Sequence, residues 1–218
     1  LELLGNRIYD YAVFPDSEYV KTYYDYAREK EVNIILPITV KDNELNIYNS
    51  ALVIDSKGNL IGRYDKTHLF LHEKRYYKAG EKFIIIDLDN IKIGILICYD
   101  LGFPEAARLL TLKGADIVFV PSAWRIEDND IWDLNTRQRA LENNIYIIGV
   151  NRVGQEDELH LFGNSRIVSP NGELIREAPQ DEEAVIVENI DLTQISKYRK
   201  YYQYLQARRD DLYGDLLS

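Results

Sequence analysis

Short apolar runs alternate with amphipathic stretches along the whole chain. The apolar runs are rich in Ile, Val and Leu and are bounded by Gly, Asn and Asp, as strands between tight turns are. They predict strands at residues 33–39, 50–54, 60–64, 83–88, 91–97, 117–120, 145–150, 165–169, 173–176 and 184–189. Apolar residues at steps of three and four predict helices at residues 17–30, 104–113 and 130–143. Helices interleaved with strands that are apolar enough for burial on both faces indicate a layered α/β fold.

The organisation predicted is a single domain over residues 1–218. The chain contains no internal repeat, no low-complexity tract and no linker rich in Gly, Ser or Pro. In the third predicted helix, Ile131, Leu134 and Leu141 recur at helical spacing and are expected to form the buried face. A polar, Tyr-rich tail occupies residues 192–218.

The charge balance narrows the classes of partner. The chain carries 26 Lys and Arg against 36 Asp and Glu, a net charge of −10. Proteins that bind nucleic-acid backbones need surplus cations to replace the counterions of phosphate, and an acidic chain is not drawn to an anionic membrane surface. No apolar run approaches the roughly 20 residues that span a bilayer, and the residues from Leu1 onward lack the pattern of a signal peptide. We therefore expect a cytoplasmic protein that binds neither nucleic acid nor membrane.

Cys98 is the single cysteine, so the chain can form neither an intrachain disulfide nor a site with several thiolates. It closes the predicted strand 91–97 and precedes a helix that begins at Pro104. A nucleophile at such a strand-to-helix turn is presented outward, where backbone N–H groups can bind an oxyanion. The alternative is that Cys98 fills the core, since free cysteine is among the most buried residue types.

Two further polar features follow the predicted strand 60–64. Lys66 precedes an aromatic segment, and a lysine held there away from solvent would stabilise a developing oxyanion; an ordinary surface lysine is the alternative. His68 and His72 stand four residues apart with Glu73 adjacent, which resembles part of a zinc motif. Because a third ligand and the usual order of that motif are missing, we expect no metal site.

Several short motifs, taken together and in order, resemble the nitrilase superfamily of carbon–nitrogen hydrolases, in particular its amidase-like members. They are residues 63–70 (RYDKTHLF), 77–80 (YKAG), 95–105 (ILICYDLGFPE), 112–116 (LKGAD), 120–124 (VPSAW), 139–143 (RALEN), 149–154 (GVNRVG) and 162–165 (FGNS). Each string alone is a weak signal. Their order and spacing cover nearly all of the chain from residue 33 onward, which makes a chance agreement improbable.

The resemblance implies a four-layer α-β-β-α sandwich and a Glu-Lys-Cys catalytic set that needs no cofactor and no metal. Cys98 falls on the position of the family's nucleophile and Lys66 on that of its catalytic lysine. Glu73 falls on a second glutamate that orients groups in the pocket. The backbone N–H of Tyr99 would share the oxyanion with Lys66. Trp124 would line the substrate pocket, although a packing aromatic at a strand end explains it equally well.

The family's general base is a glutamate that directly follows a proline at the end of an early strand. No Pro-Glu pair precedes Lys66, and the chain contains no Met, even at position 1. Glu2 is a weak candidate, because Leu1 stands in place of the proline. Two explanations stay open. Either the sequence lacks an N-terminal strand and the base lies upstream, or the chain is complete and has lost both.

The resemblance implies hydrolysis of a small linear amide, with release of ammonia through a thioester on Cys98. A hydrolase of N-carbamoyl amides and a nitrilase are the alternatives within the family. Gly102 stands near the position where several carboxylate-binding branches have Arg, which favours a neutral or cationic substrate, and the negative net charge agrees. The alternative from another class is an inactive scaffold, which the missing base favours.

The resemblance also implies a homodimer or a higher homo-oligomer. Tyr198, Tyr201, Tyr202 and Tyr204 of the tail are candidates for contacts with a partner subunit. Packing of these rings on their own domain is the alternative.

Overall fold

Two large β-sheets, one separate hairpin and five α-helices account for most of residues 5–214, the part of the chain that the computed structural model describes. The strands are β1 Ile34–Lys41, β2 Ile47–Ile54, β3 Leu60–Asp65, β4 Ile85–Leu88, β5 Ile91–Ile95, β6 Ile117–Ser122, β7 Tyr146–Asn151, β8 Val153–Glu156, β9 Leu159–Phe162, β10 Arg166–Val168 and β11 Leu174–Glu177. The helices are α1 Ile8–Tyr11, α2 Glu18–Lys30, α3 Pro104–Leu112, α4 Asn129–Asn143 and α5 Thr193–Tyr202. Every predicted helix, and every predicted strand except 184–189, is found with small shifts at the ends.

The first sheet is antiparallel and contains β1, β2 and β3 in that order. Because the side chains of a strand alternate between its two faces, β2 contributes to the packing on both sides of this sheet. Leu52 packs with Val20 of α2 and Val40 of β1. Ala51 and Val53, one residue to either side, belong to the cluster between the two sheets. Helix α2 therefore covers one face of this sheet and the second sheet covers the other.

The second sheet has the order β11-β10-β7-β6-β5-β4. Its central strands β5, β6 and β7 are parallel, and α3 and α4 make the two crossovers that parallel strands require. Gly94 of β5 allows α3 to approach closely, since a Cβ at this position would lie 2.9 Å from the side chain of Leu110. The carboxyl ends of β5, β6 and β7 meet at one edge of the sheet, where loops carry polar side chains.

Three apolar clusters define the order of the layers. Val20, Val40 and Leu52 join α2 to the first sheet. A second cluster joins the two sheets and includes Ala51, Val53, Tyr64, Ile93, Ile95, Ile117 and Tyr146. A third joins the second sheet to α3 and α4 and includes Leu96, Leu110, Val118, Val120, Trp132, Ala140 and Ile147. The layers are thus helix, sheet, sheet and helices, and the predicted four-layer α-β-β-α sandwich is confirmed.

Residues 184–189, predicted as a strand, lie outside the strands of the structure. Val185 is 92% exposed and Val187 is 78% exposed, so the alternating pattern is not accompanied by burial. No strand within residues 5–214 pairs with this segment, and alternation by itself cannot supply the hydrogen-bonding partner that a strand needs. Conversely, the hairpin of β8 and β9 was not predicted, because its polar residues obscure the alternation.

The buried face of α4 also differs from the prediction. Ile131 is 48% exposed and Leu134 is 64% exposed, whereas Trp132 and Ala140 are fully buried. The Trp132 ring occupies the space that Gly149 of β7 leaves open on the sheet. Burial of the Trp132 ring removes more apolar area from water than burial of Ile131 or Leu134 would. Helix α4 is therefore rotated so that Trp132 faces the sheet.

The C-terminal residues form α5 and an aromatic tail. Ile195 of α5 is 4% exposed and packs on the cluster between the two sheets. The rings of Tyr198 and Tyr204 both stack on Tyr202, whereas Tyr201 is 76% exposed. Within residues 5–214, none of the helices combines the length and the apolar character needed to cross a membrane.

Replacement of Gly149 by Ala is expected to destabilise the fold. A Cβ at residue 149 would lie 2.5 Å from the Trp132 ring. Overpacking of this kind costs about 1–3 kcal/mol, which for a chain of this size lowers the unfolding midpoint by about 2–12 °C. Thermal unfolding followed by circular dichroism measures the effect. Gly102→Ala is the control, because a Cβ at residue 102 would meet nothing within 4 Å; equal midpoints for the two variants would contradict this account of the packing.

Candidate active site

Cys98 follows the carboxyl end of β5 and begins a 3-10 helix, Cys98–Gly102. Its φ of 50° lies in the left-handed region, which costs a residue with a Cβ about 1–2 kcal/mol. Leu96 and Ile97, just before the turn, are buried, whereas Cys98 is partly accessible. The turn therefore leaves Cys98 partly accessible, while its side chain still packs against the apolar clusters on both faces of the second sheet.

The surroundings of the thiol act on its acidity in opposite directions. Burial raises the pKa of the Cys98 thiol above its ordinary value. The positive charge of Lys66 and the backbone N–H of Ala123, at the end of β6, lower this pKa in part. The Glu73 carboxylate raises it and the backbone N–H of Tyr99 lowers it. Burial has the largest effect, so a base is needed to form the thiolate at neutral pH.

Lys66 is not a surface lysine, because its side chain is only 2% exposed. It follows β3, and its Nζ donates a hydrogen bond of 2.6 Å to Oε2 of Glu73, whose side chain is 8% exposed. Asn49 Nδ2 donates to the other oxygen of Glu73 at 3.0 Å, and the backbone N–H of Phe70 donates to Oε2 at 2.7 Å. These contacts hold the lysine in one place, since its carboxylate partner is itself fixed by two further donors.

The backbone of Lys66 is fixed as well. Its N–H donates to the carbonyl of Asn49 at 2.8 Å, and its carbonyl accepts from the N–H of Gly80 at 2.8 Å. Gly80 is required here, since a Cβ would lie 2.1 Å from the carbonyl oxygen of Asp65. The segment that carries the lysine is thus held between β2 and the loop that precedes β4.

Asp100 is fully buried two residues after Cys98 and accepts five hydrogen bonds. Oδ2 accepts from the hydroxyl of Tyr64 and from the backbone N–H of Ile97, each at 2.9 Å. Oδ1 accepts from Thr67 Oγ1 at 3.0 Å and from both the backbone N–H and Nδ1 of His68 at 2.9 Å. One carboxylate therefore bonds both the backbone just before the turn Cys98–Gly102 and the residues on either side of Lys66.

Of the two predicted substrate contacts, Tyr99 lies within the turn Cys98–Gly102 and Trp124 packs in the same cluster as Cys98. The ring of Tyr99 packs against Phe70 and Phe103, at centroid distances of 4.9 and 5.2 Å. Trp124 is 8% exposed and follows Ala123, whose N–H lowers the pKa of the Cys98 thiol. Its backbone N–H donates to Oδ1 of Asn151 at 2.7 Å, and its buried Nε1 has no hydrogen-bond partner within residues 5–214.

Sequence reasoning missed four polar residues that support this site: Asn49, Asp100, Arg139 and Asn151. Asn49 bonds Glu73, and Asn151 bonds the backbone of Trp124. Arg139 of α4 donates to the carbonyls of residues 101 and 102 at 3.1 and 3.2 Å. The signal available for Asp100, Arg139 and Asn151 was their presence inside the family motifs. Nothing in the local pattern around Asn49 pointed to Glu73, 24 residues away.

His68 and His72, four residues apart in the sequence, have separate surroundings in the structure. His68 bonds Asp100 through Nδ1 and stacks on Phe103 at a centroid distance of 3.8 Å. His72 lies in a separate 3-10 helix, Leu71–Arg75. Within residues 5–214, no group of three or more His, Cys, Asp or Glu side chains is placed to hold a metal ion. Glu2, the weak candidate for the general base, lies outside the described residues.

Comparisons with known proteins give the family of this fold. The carbon-nitrogen hydrolase family model matches residues 4–200. A probable nitrilase of Schizosaccharomyces pombe is 40% identical over 201 residues, which cover 91% of this chain and 74% of that protein. N-carbamoylputrescine amidase of Solanum lycopersicum is 33% identical over 210 residues, covering 87% and 70%. The crystal structure of a carbon-nitrogen hydrolase from Helicobacter pylori G27 is 32% identical and superposes with a TM-score of 0.85, covering 90% of this chain and 74% of that one.

The chain belongs to the carbon-nitrogen hydrolase family, the nitrilase superfamily. The predicted family and the predicted fold class are both confirmed. Cys98, Lys66 and Glu73, proposed from the motifs, lie close together: Lys66 bonds Glu73, and the charges of both act on the Cys98 thiol.

Replacement of Lys66 by Met should slow the alkylation of Cys98 by iodoacetamide at pH 7. Loss of the nearby positive charge raises the pKa of the thiol and leaves less thiolate, so we expect a rate about 3- to 10-fold lower. Mass spectrometry of the modified protein gives the rate. The double variant Lys66→Met with Glu73→Gln leaves no buried carboxylate unpaired and should also react slowly, because the lysine affects this pKa more than the glutamate does.

The matched control is Lys78→Met, which removes an exposed lysine from the segment that follows Glu73. Its alkylation rate should equal that of the unmodified sequence. If the double variant also reacted at that rate, the account of how Lys66 controls the thiol would be wrong.

Proposed function

We propose that this protein hydrolyses a small linear amide and releases ammonia through a thioester on Cys98. The observation that carries the proposal is the convergence of a partly accessible thiol, a buried Lys66–Glu73 ion pair and the backbone N–H groups of Tyr99 and Ala123. This set contains a nucleophile and donors for a developing negative charge, which are the two requirements of acyl transfer.

In the proposed first step, the Cys98 sulfur forms a bond to the carbonyl carbon of the amide as its proton passes to a general base. The oxyanion of the tetrahedral intermediate accepts hydrogen bonds from Lys66 Nζ and the N–H of Tyr99. Collapse breaks the carbon–nitrogen bond, and the nitrogen leaves as ammonia after it takes the proton back from the base. Water then attacks the thioester, which yields the carboxylic acid and the free thiol.

The base is the component that residues 5–214 leave unassigned. A glutamate with this task must lie within hydrogen-bond reach of the thiol, or reach it through one water. Glu73 is already bonded to Lys66, Asn49 and the N–H of Phe70, so it serves the lysine rather than the thiol. The proposal therefore assigns the base to a glutamate outside the described residues, for which Glu2 is a candidate.

The substrate is proposed to be neutral or cationic. Gly102 is the last residue of the turn Cys98–Gly102, which we call the nucleophile turn. A Cβ at this position would meet nothing within 4 Å, so the space beside it is open. No guanidinium is thus supplied at this position to bind a carboxylate. The relationship to N-carbamoylputrescine amidase favours a second candidate, an N-carbamoyl amide. The same thiol and the same oxyanion donors would act on it, with carbon dioxide and an amine among the products.

Incubation with small amides and carbamoyl compounds should give ammonia together with an acyl adduct on Cys98, detected by mass spectrometry after acid quench. Cys98→Ala should abolish both signals, because the thioester cannot form. Cys98→Ser is the matched variant and should retain less than about 1% of the rate, since a hydroxyl is a far weaker nucleophile at neutral pH than a thiol. Ammonia release that survives in Cys98→Ala would exclude the covalent mechanism. An unreactive thiol and no turnover would favour the inactive scaffold.

We also propose that α5 and the tail contact a second copy of the chain. Tyr201 and Tyr204 are 76% and 47% exposed, which is unusual for clustered aromatic rings in a monomer. Light scattering at micromolar concentration should give the mass of at least a dimer, and Tyr201→Ser with Tyr204→Ser should shift it toward the monomer. Tyr19→Ser removes an exposed ring from α2 and should leave the mass unchanged. A monomer in the unmodified sequence contradicts the proposal.

A further inference from the structure

The nucleophile turn is a strained element that must be held in place. Cys98 adopts a φ of 50°, a region that residues with a Cβ seldom occupy, and such conformations persist only where the surroundings over-determine them. The turn is short: five residues lie between Ile97, where the extended backbone ends, and Phe103. Two side chains bond its backbone and hold it in position, one from within the turn and one from helix α4.

The carboxylate of Asp100 is the main internal anchor. Its hydrogen bond from the N–H of Ile97 closes the turn around Cys98. Its other partners, Tyr64, Thr67 and His68, lie on both sides of Lys66 in the sequence. One side chain therefore bonds to the backbone that carries the nucleophile and to the residues that flank the lysine.

Arg139 of α4 bonds the last two residues of the turn. Its Nε donates to the carbonyl of Leu101 at 3.1 Å and its Nη2 to the carbonyl of Gly102 at 3.2 Å. The guanidinium is kept in position by Glu142, whose Oε1 accepts from Nη1 at 3.1 Å. Leu101 and Gly102, at the end of the turn, are thus fixed to α4. The distance from the start of the turn at Cys98 to the segment 64–68, which carries Lys66, then depends on Asp100.

We propose that Asp100 is a positioning residue, which holds Cys98 and Lys66 at the separation that thioester formation requires. The inference rests on the proposed function, because the separation matters only if the thiol and the lysine act on one substrate. Asp100 itself is fully buried beneath the turn and takes no part in bond making.

An uncharged side chain of the same shape cannot replace this carboxylate. All five groups that face Asp100 are donors when His68 carries its proton on Nδ1. Whichever way its amide is turned, an asparagine would place its NH2 donors against a backbone N–H, that of Ile97 or that of His68, and a buried donor without an acceptor is costly. Asp100→Asn should therefore move the lysine segment relative to the turn while it preserves the volume of the side chain.

The test compares Asp100→Asn with the unmodified protein in two assays. In steady-state kinetics, kcat should fall about 10- to 100-fold while KM changes by less than about 3-fold, since a displacement near 1 Å can cost about 100-fold in rate. In alkylation by iodoacetamide at pH 7, the rate at Cys98 should fall about 3- to 10-fold, because the lysine charge no longer lies at its normal distance from the thiol.

Asp42→Asn is the matched control. Asp42 also organises a turn, between β1 and β2, and its carboxylate accepts from the N–H groups of Glu44 and Asn46, from Asn46 Nδ2 and from the Tyr48 hydroxyl. Its loss should lower thermal stability but leave kcat and the alkylation rate within about 2-fold, as expected for sites without shared partners. If Asp100→Asn also lowered stability alone, with kcat and alkylation unchanged, the positioning role would be excluded.

Tyr64→Phe keeps the proposal testable if Asp100→Asn does not fold. It removes one of the five donors to Asp100 and keeps the buried ring. We expect kcat to fall about 3- to 10-fold with KM unchanged, the effect of one lost hydrogen bond. Unchanged kcat would overturn the proposal. The alkylation assay needs no substrate, so a failure of the proposed function, seen as no turnover in any variant, is distinguishable from a failure of the positioning role.

Discussion

A charged lysine in a protein interior requires a carboxylate beside it, and much of this site follows from that requirement. Lys66 is 2% exposed and bonds Glu73 at 2.6 Å. Removal of one partner from such a pair typically costs about 3–5 kcal/mol, because the other charge is left buried and uncompensated. Glu73 in turn needs Asn49 and the N–H of Phe70 to satisfy its remaining lone pairs. The ion pair thereby joins β2, the lysine segment and the 3-10 helix that follows it into one rigid unit.

The second sheet supplies the other half of the site. Its three parallel strands end at the same edge, so residues distant in sequence meet there: Cys98 after β5, Ala123 after β6 and Asn151 at the end of β7. The rigid unit around Lys66 belongs to the first sheet. The apolar cluster between the sheets fixes their mutual position, and Asp100 adds a polar connection across the same boundary. Both sheets are therefore needed to assemble one site.

The sequence was sufficient for most elements of the fold and for the main candidates of the site. Strong apolar runs such as 91–97 predict strands directly. The motifs around Cys98 and Lys66 are sufficient to identify the family. The predictions that were wrong concerned features that depend on contacts with residues distant in the sequence. Residues 184–189 alternate like a strand but pair with none within residues 5–214, and the face of α4 was decided by Trp132 and by the space at Gly149. The contact of Asn49 with Glu73 could not be predicted, since it depends on how two strands lie in space.

Cys98 also holds the only sulfur atom among the 218 residues, since the chain has one Cys and no Met. Once a base has removed its proton, a partly accessible thiolate with a cation and N–H donors beside it is open to oxidation to a sulfenic acid. Within these 218 residues, no second thiol can resolve that product as an intrachain disulfide, and no methionine can consume the oxidant first. Oxidation of sulfur in this part of the protein would therefore fall on the proposed nucleophile alone, and recovery would depend on small thiols reaching Cys98.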